Sequence, residues 1–353
     1  MTTNIPQGPN GLRGNTSDRT RAAQEPAHPS KAGIALGACV PHLPFITLQE
    51  RDLNARFWEA YEALAADLRA FAPELVFVFG ADHYEGQHMK SMPTFQVGHS
   101  ARAIDDCGGF PGELTVPQDI ARACAEFLVS ADFDISVSYE MEVDHGFSNV
   151  IHYMLGSVDA YPVVPIFVNA LSHPRPSFRR CRQFGHAVGT FAATLGKRVA
   201  FLGSGGLSHE TGDIFPQVFE ARDPALRDFL IHGGTKGALS REEWRRNLNA
   251  GLGEVNKLLE QRVPGVGNVK KDWDRQFVHL LASGDLTAFD AWEDEQVFRA
   301  AGNGAGEVRE WLAALAAARA AGATEIVVDH YEADTCIGVA AVVVHAASQP
   351  AGK

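Results

Sequence analysis

Apolar positions along the chain switch repeatedly between two spacings. Stretches 33–40, 75–79, 163–168 and 199–202 are short runs of Val, Ile, Leu, Phe and Ala with few polar breaks, which suits strands covered on both faces. A further strand is predicted over 135–139. Between these runs the spacing is helical: over 55–71 the residues Phe57, Tyr61, Leu64 and Leu68 fall on one face, and 118–129 and 178–195 continue the alternation. Alternating strands and helices predict an α/β fold, a single domain with a central mixed β-sheet flanked by helices. From 223 to 321 the pattern becomes almost wholly helical, including 241–259, 274–282 and 306–321, so a helical C-terminal region is expected. Two β-branched stretches, 324–328 and 337–345, are then expected to add edge strands to the same sheet. Residues 1–31 are rich in Thr, Asn, Pro, Gly and Arg and lack periodicity, so they and 347–353 are expected to be disordered tails around a folded unit, 32–346.

Reactive side chains of α/β proteins collect beyond the carboxyl ends of strands. Four histidines stand where the pattern puts such ends: His42 in Cys39-Val40-Pro41-His42, His83 in Gly80-Ala81-Asp82-His83-Tyr84, His145 in Val143-Asp144-His145-Gly146-Phe147, and His209 in Gly203-Ser204-Gly205-Gly206-Leu207-Ser208-His209. Neutral imidazole ligates iron, zinc or copper and exchanges protons near neutral pH, so a convergent set points to a metal enzyme with acid and base groups beside the metal. A facial two-histidine, one-carboxylate site needs an acidic residue as well. Spacing leaves Asp82, Asp144, Glu210, Asp272, Asp274, Glu307, Glu310 and Glu332 all open. His88, His99, His152, His173, His186, His232, His279, His330 and His345 read as ordinary structural residues. The glycines at 203–206 lack the spacing and the Lys-Ser/Thr ending of a phosphate loop, and read instead as backbone that lets His209 approach a substrate.

Composition narrows the class. A formal net charge of −12 without a basic cluster argues against a nucleic-acid partner. No apolar run is long enough for a membrane span and no signal-peptide core is visible, so the expected location is the cytoplasm. Five scattered cysteines without a CxxC pair fit reduced, buried thiols.

The motifs Gly80-Ala81-Asp82-His83-Tyr84, Val143-Asp144-His145-Gly146-Phe147 and 201–209, in this order, together with Pro73-Glu74-Leu75-Val76, Met92-Pro93-Thr94-Phe95, Gly112-Glu113-Leu114-Thr115-Val116-Pro117 and Trp273-Asp274-Arg275-Gln276-Phe277, resemble the class III extradiol ring-cleaving dioxygenases, the family of protocatechuate 4,5-dioxygenase β subunits. The likeness runs from about residue 33 to 320. It implies an Fe(II) cofactor held by His42, His83 and Glu307, the last matching the family's Glu-x-x-x-Trp through Trp311, with His145 and His209 as proton-transfer residues. Pro41 stands where the family has Ser. The resemblance further implies a catechol and O2 as substrates, 3-(2,3-dihydroxyphenyl)propanoate or its cinnamate analogue being the leading candidate, and a homo-oligomer.

Asp82 and Asp144 are expected to hydrogen-bond neighbouring histidine or backbone groups. Glu310 reads as a solvated helix carboxylate. An anionic side chain on the catechol calls for Arg or Lys at the pocket rim, with Arg179, Arg180 and Arg275 among the candidates. Two other classes remain at this point: a zinc hydrolase built on the same ligands, and a protein-binding role of the Memo type on the same fold.

Overall fold

The computed structural model describes residues 35–347 apart from 43, 212, 213 and 268. The expected tails lie outside the described residues, except that residue 347 is the last of a strand. The strands are β1 (Ala35–Cys39), β2 (Leu75–Gly80), β3 (Phe95–Gly98), β4 (Ala101–Ala103), β5 (Gly112–Glu113), β6 (Ser136–Ser138), β7 (Met141–Val143), β8 (Val163–Val168), β9 (Val199–Gly203), β10 (Glu325–Glu332) and β11 (Ala341–Ala347). The helices are α1 (Phe45–Leu48), α2 (Ala55–Phe71), α3 (Gln118–Ser130), α4 (His145–Leu155), α5 (Phe178–Ala193), α6 (Pro224–His232), α7 (Arg241–Glu260), α8 (Lys271–Ala282), α9 (Asp294–Ala301) and α10 (Val308–Ala320).

Eight strands form the central sheet in the order β10-β11-β1-β9-β2-β8-β3-β6. Its middle, β1-β9-β2-β8, is parallel, and these are the strands whose sequences run apolar almost without a break. Helices cover both faces there, so no position along such a strand has reason to be polar. The sheet is mixed, as expected, because β11 joins β1 antiparallel and β3 joins β8 antiparallel. Two expectations need correction. Of the closing strand pair only β10 is an edge; β11 lies between β10 and β1. A separate three-stranded sheet, β5-β4-β7, was not anticipated, its strands being too short to carry a periodicity.

Helix α10 is the pivot between fold and site. Val308 through Ala318 are all buried, so the helix is enclosed on every side. Its alanines let it lie close to α5, where a Cβ on Gly185 or Gly189 would collide with the Ala313 or Ala317 carbonyl. A glycine inside a helix costs about 1 kcal/mol. Burying one Leu or Phe side chain returns about 1.5–3 kcal/mol, and α10 buries Trp311, Leu312 and Leu315, which together outweigh the two glycines. The result is a rigid seat for Glu307, the residue immediately before α10.

Candidate metal centre and active site

The carboxyl ends of three adjacent strands deliver three of the histidines: His42 just beyond β1, His83 just beyond β2, and His209 beyond β9. The fourth does not arrive as expected. His145 follows β7 of the small sheet, not a strand of the central sheet, and is the first residue of α4. Asp144 caps that helix, its side chain accepting the Gly146 N–H at 2.8 Å.

Each ring is anchored through Nδ1. The Ser204 hydroxyl donates its proton to the Gly146 carbonyl, so toward His42 Nδ1, 2.9 Å away, it acts as acceptor and fixes the proton on Nδ1. His83 Nδ1 stands 3.0 Å from Asp144 Oδ2, which also accepts the His83 backbone N–H at 2.6 Å. His145 Nδ1 pairs with Asp106, which accepts the His145 backbone N–H as well, and lies 3.5 Å from Cys107 Sγ. His209 Nδ1 donates to the Leu207 carbonyl at 2.8 Å. With Nδ1 committed, Nε2 is the atom each ring has left for a metal or substrate.

Glu307 lies among these nitrogens. Its Oε1 is 3.3 Å from His83 Nε2 and 3.7 Å from His42 Nε2; its Oε2 accepts the Gly206 N–H at 2.9 Å and is 4.0 Å from His209 Nε2. Nitrogen and oxygen donors that share one ion at about 2.0–2.2 Å stand roughly 3–3.7 Å apart, so this donor set fits a single divalent cation. The ligand atoms of His42, His83 and His145 also lie within 4.8 Å of one another, and the His83 and His145 rings stack with centroids 4.3 Å apart.

Charge follows burial and neighbours. Burial pushes His42 down to about 3, against the opposing pull of Glu307. For Glu307 burial works the other way, but His42, His83 and His209 outweigh it and bring the carboxyl down to about 2. Burial opposes a proton on His83 too, yet Asp144 lifts it to about 9. His145 is likewise held well above its ordinary value, Cys107 and Asp106 outweighing the effect of burial.

The remaining candidates sort by position. Asp82 accepts the backbone N–H groups of Glu85, Gly86 and Gln87 at 3.1, 2.8 and 2.9 Å and so shapes the loop after His83. Asp274, buried, accepts the Ser208 N–H at 2.9 Å and props the loop carrying His209. Asp272 is exposed on α8, and Glu332 pairs with Arg56. Glu310 is not solvated: it is fully buried, and burial followed by the negative Glu307 pushes it well above the usual carboxylate range.

The glycines after β9 serve Glu307 at least as much as His209. Gly205 has φ +131°, and a Cβ there would sit 2.9 Å from Glu307. Asp106, Cys107 and Ser204, which hold His145 and His42, carried no local signal in the sequence.

These groups form the floor of a cavity of about 270 Å³. Its walls are Phe45, Ile214, Phe215, Val266 and the α7 residues Leu252, Val255 and Leu259. None of the arginines expected at a pocket rim lines it: Arg179 is 3.7 Å from Asp290, Arg180 lies over Phe133, and Arg275 is 3.7 Å from Asp272.

Comparison with known proteins fits this site. A model described as the catalytic LigB subunit of aromatic ring-opening dioxygenase matches residues 36–344. Proteins named 2,3-dihydroxyphenylpropionate/2,3-dihydroxicinnamic acid 1,2-dioxygenase, from Escherichia coli strain SMS-3-5 and from Shigella sonnei strain Ss046, are each 38% identical over 290 residues, 80% of this chain and 89% of the relative. Among solved structures, uncharacterized protein JW3007 from Escherichia coli K12 aligns over 88% of this chain and 98% of that one, at 12% identity and a TM-score of 0.48. A match across nearly all the described residues to ring-opening dioxygenases favours that chemistry over the hydrolase and Memo-type readings. The chain belongs to the LigB family of catalytic subunits of aromatic ring-opening dioxygenases, the class III extradiol enzymes.

Proposed function

We propose that this protein uses Fe(II), held by His42, His83 and Glu307, to cleave the ring of a substituted catechol with O2, breaking the bond between a hydroxylated carbon and the neighbouring carbon that bears the substituent. The observation that carries the ligand assignment is Glu307 Oε1 lying 3.3 Å from His83 Nε2 and 3.7 Å from His42 Nε2. The metal would supply a common centre for catechol and O2 and a path for electron density between them.

The chain's own residues handle protons and geometry. His209, with its Nδ1–H donated to Leu207, offers the Nε2 lone pair as the base that takes a catechol hydroxyl proton. His145, paired through Nδ1 with the Asp106 carboxylate, is the acid that returns a proton as the O–O bond breaks. Asp144 and Ser204 hold the rings of His83 and His42 in the orientation that points Nε2 at Glu307. Apolar walls keep bulk water from the reacting ring.

The relatives' names supply the reference catechols for the panel, 3-(2,3-dihydroxyphenyl)propanoate and 2,3-dihydroxycinnamate. A homo-oligomer in the cytoplasm completes the proposal; the five buried, unpaired cysteines suit a reducing compartment. The test is anaerobic loading with Fe(II), then O2 uptake and absorbance with a panel of substituted catechols. One O2 consumed per catechol, with a yellow ring-opened product, is expected; no uptake with any catechol by iron-loaded protein would overturn the proposal.

A further inference from the structure

We infer that the wall facing the iron-ligand pole selects a catechol whose substituent is uncharged and apolar. The inference rests on the ring-cleavage reading above and specifies its substrate class. The cavity is two-sided. Every ionisable group lining it belongs to the floor or the mouth: the four histidines, Cys107, Glu307 and, exposed at the opening, Glu210. Opposite them, Leu252, Val255 and Leu259 follow one another along a single face of α7, and Val266, Ile214 and Phe45 continue the surface.

A carboxylate placed against that wall would lose its water and, among the described residues, meet no Lys or Arg in exchange. Glu210, the acidic residue among the described lining residues outside the floor, adds no positive charge there. An alkyl or small aryl group in the same place trades water for apolar contact on several sides. At about 270 Å³ the cavity is at the lower edge of small-molecule pockets, which suits one ring with a short substituent.

The experiment compares 3-butylcatechol with 3-(2,3-dihydroxyphenyl)propanoate on the Fe(II)-loaded full chain. Anaerobic titration calorimetry gives each Kd, and O2 uptake gives each kcat/KM. At least tenfold tighter binding and at least tenfold higher kcat/KM are expected for 3-butylcatechol. Val255→Arg and Val266→Arg, at half-buried positions that tolerate a long side chain, should each move the ratio at least tenfold toward the propanoate with iron content unchanged. Equal or better binding and turnover of the propanoate by the unsubstituted protein would overturn the inference while leaving ring cleavage standing. Iron-loaded protein that cleaves neither catechol would instead overturn the reading beneath it.

Discussion

The two halves of the cavity are built on opposite principles. The floor consists of polar groups delivered by strand ends and the starts of α4 and α10, and nearly every atom in it is pinned: Nδ1 of His42 on Ser204, of His83 on Asp144, of His145 on Asp106, of His209 on Leu207, and Glu307 on Gly206. The wall, laid across it by α7 and the loops around it, offers only side-chain shape. A misplaced imidazole loses a metal or a proton path outright, whereas a changed leucine alters fit by a methylene or two. Under the proposal above, the floor sets the chemistry and the wall the choice of substrate. The two should respond very differently to substitution.

Removing a floor ligand should have the largest effect. His42→Ala and His83→Ala are expected to fold, to retain less than a tenth of the iron after anaerobic loading, and to lose catechol-dependent O2 uptake by about 10³-fold or more. Wild-type iron content in either variant would break the assignment.

The proton-transfer residues come next. His145→Ala and His209→Ala should keep their iron and lose about 10²–10⁴ in kcat. Asp106→Asn, which leaves the His145 ring without its anionic partner, should cost about 10–100-fold, read as a fall in kcat with a shifted pH profile and little change in iron. Metal loss on His145→Ala would move that residue into the ligand set.

The smallest effect concerns stability, and it separates floor from wall by pH. Glu310 lies buried behind Glu307, and burial, with Glu307 adding, raises its carboxyl above the ordinary value of 4.5. A raised folded value means that its neutral form suits the fold: its contribution is complete below about pH 4.5 and is lost as the pH rises. Glu310→Gln keeps the neutral shape. Thermal melts should thus show no gain in Tm at pH 4 and a gain of about 2 °C or more by pH 8, whereas Val255→Arg on the wall should shift Tm equally at both. A gain for Glu310→Gln that is largest at pH 4 would contradict the sign.

Much of the floor was legible because parallel strands covered on both faces leave apolar runs, and His42, His83 and His209 stand at the ends of three that lie side by side. The small sheet was not legible. Its strands are too short to show a period, so His145 was attached to the wrong strand and its partner Asp106 went unseen. Glu307 was one carboxylate among eight until the family resemblance singled it out; spacing cannot show that a residue before an alanine-rich helix will meet histidines far away in sequence. Glu310 was misread for a related reason. Alanines suit exposed and enclosed helices alike, so nothing in 308–320 shows that the whole surface of α10 is covered. The stretch 241–259 was legible as a helix, but helical spacing does not say whether a face meets a core or a substrate.

The ligand set itself is tested most directly by iron per chain after identical anaerobic loading of Glu307→Ala and His145→Ala. His145 stands as close to His42 and His83 as a ligand would, so the pair discriminates where distance does not. Glu307→Ala should hold less than a tenth of the wild-type iron and His145→Ala close to all of it. The reverse, iron retained without Glu307 and lost without His145, would contradict the two-histidine, one-carboxylate floor.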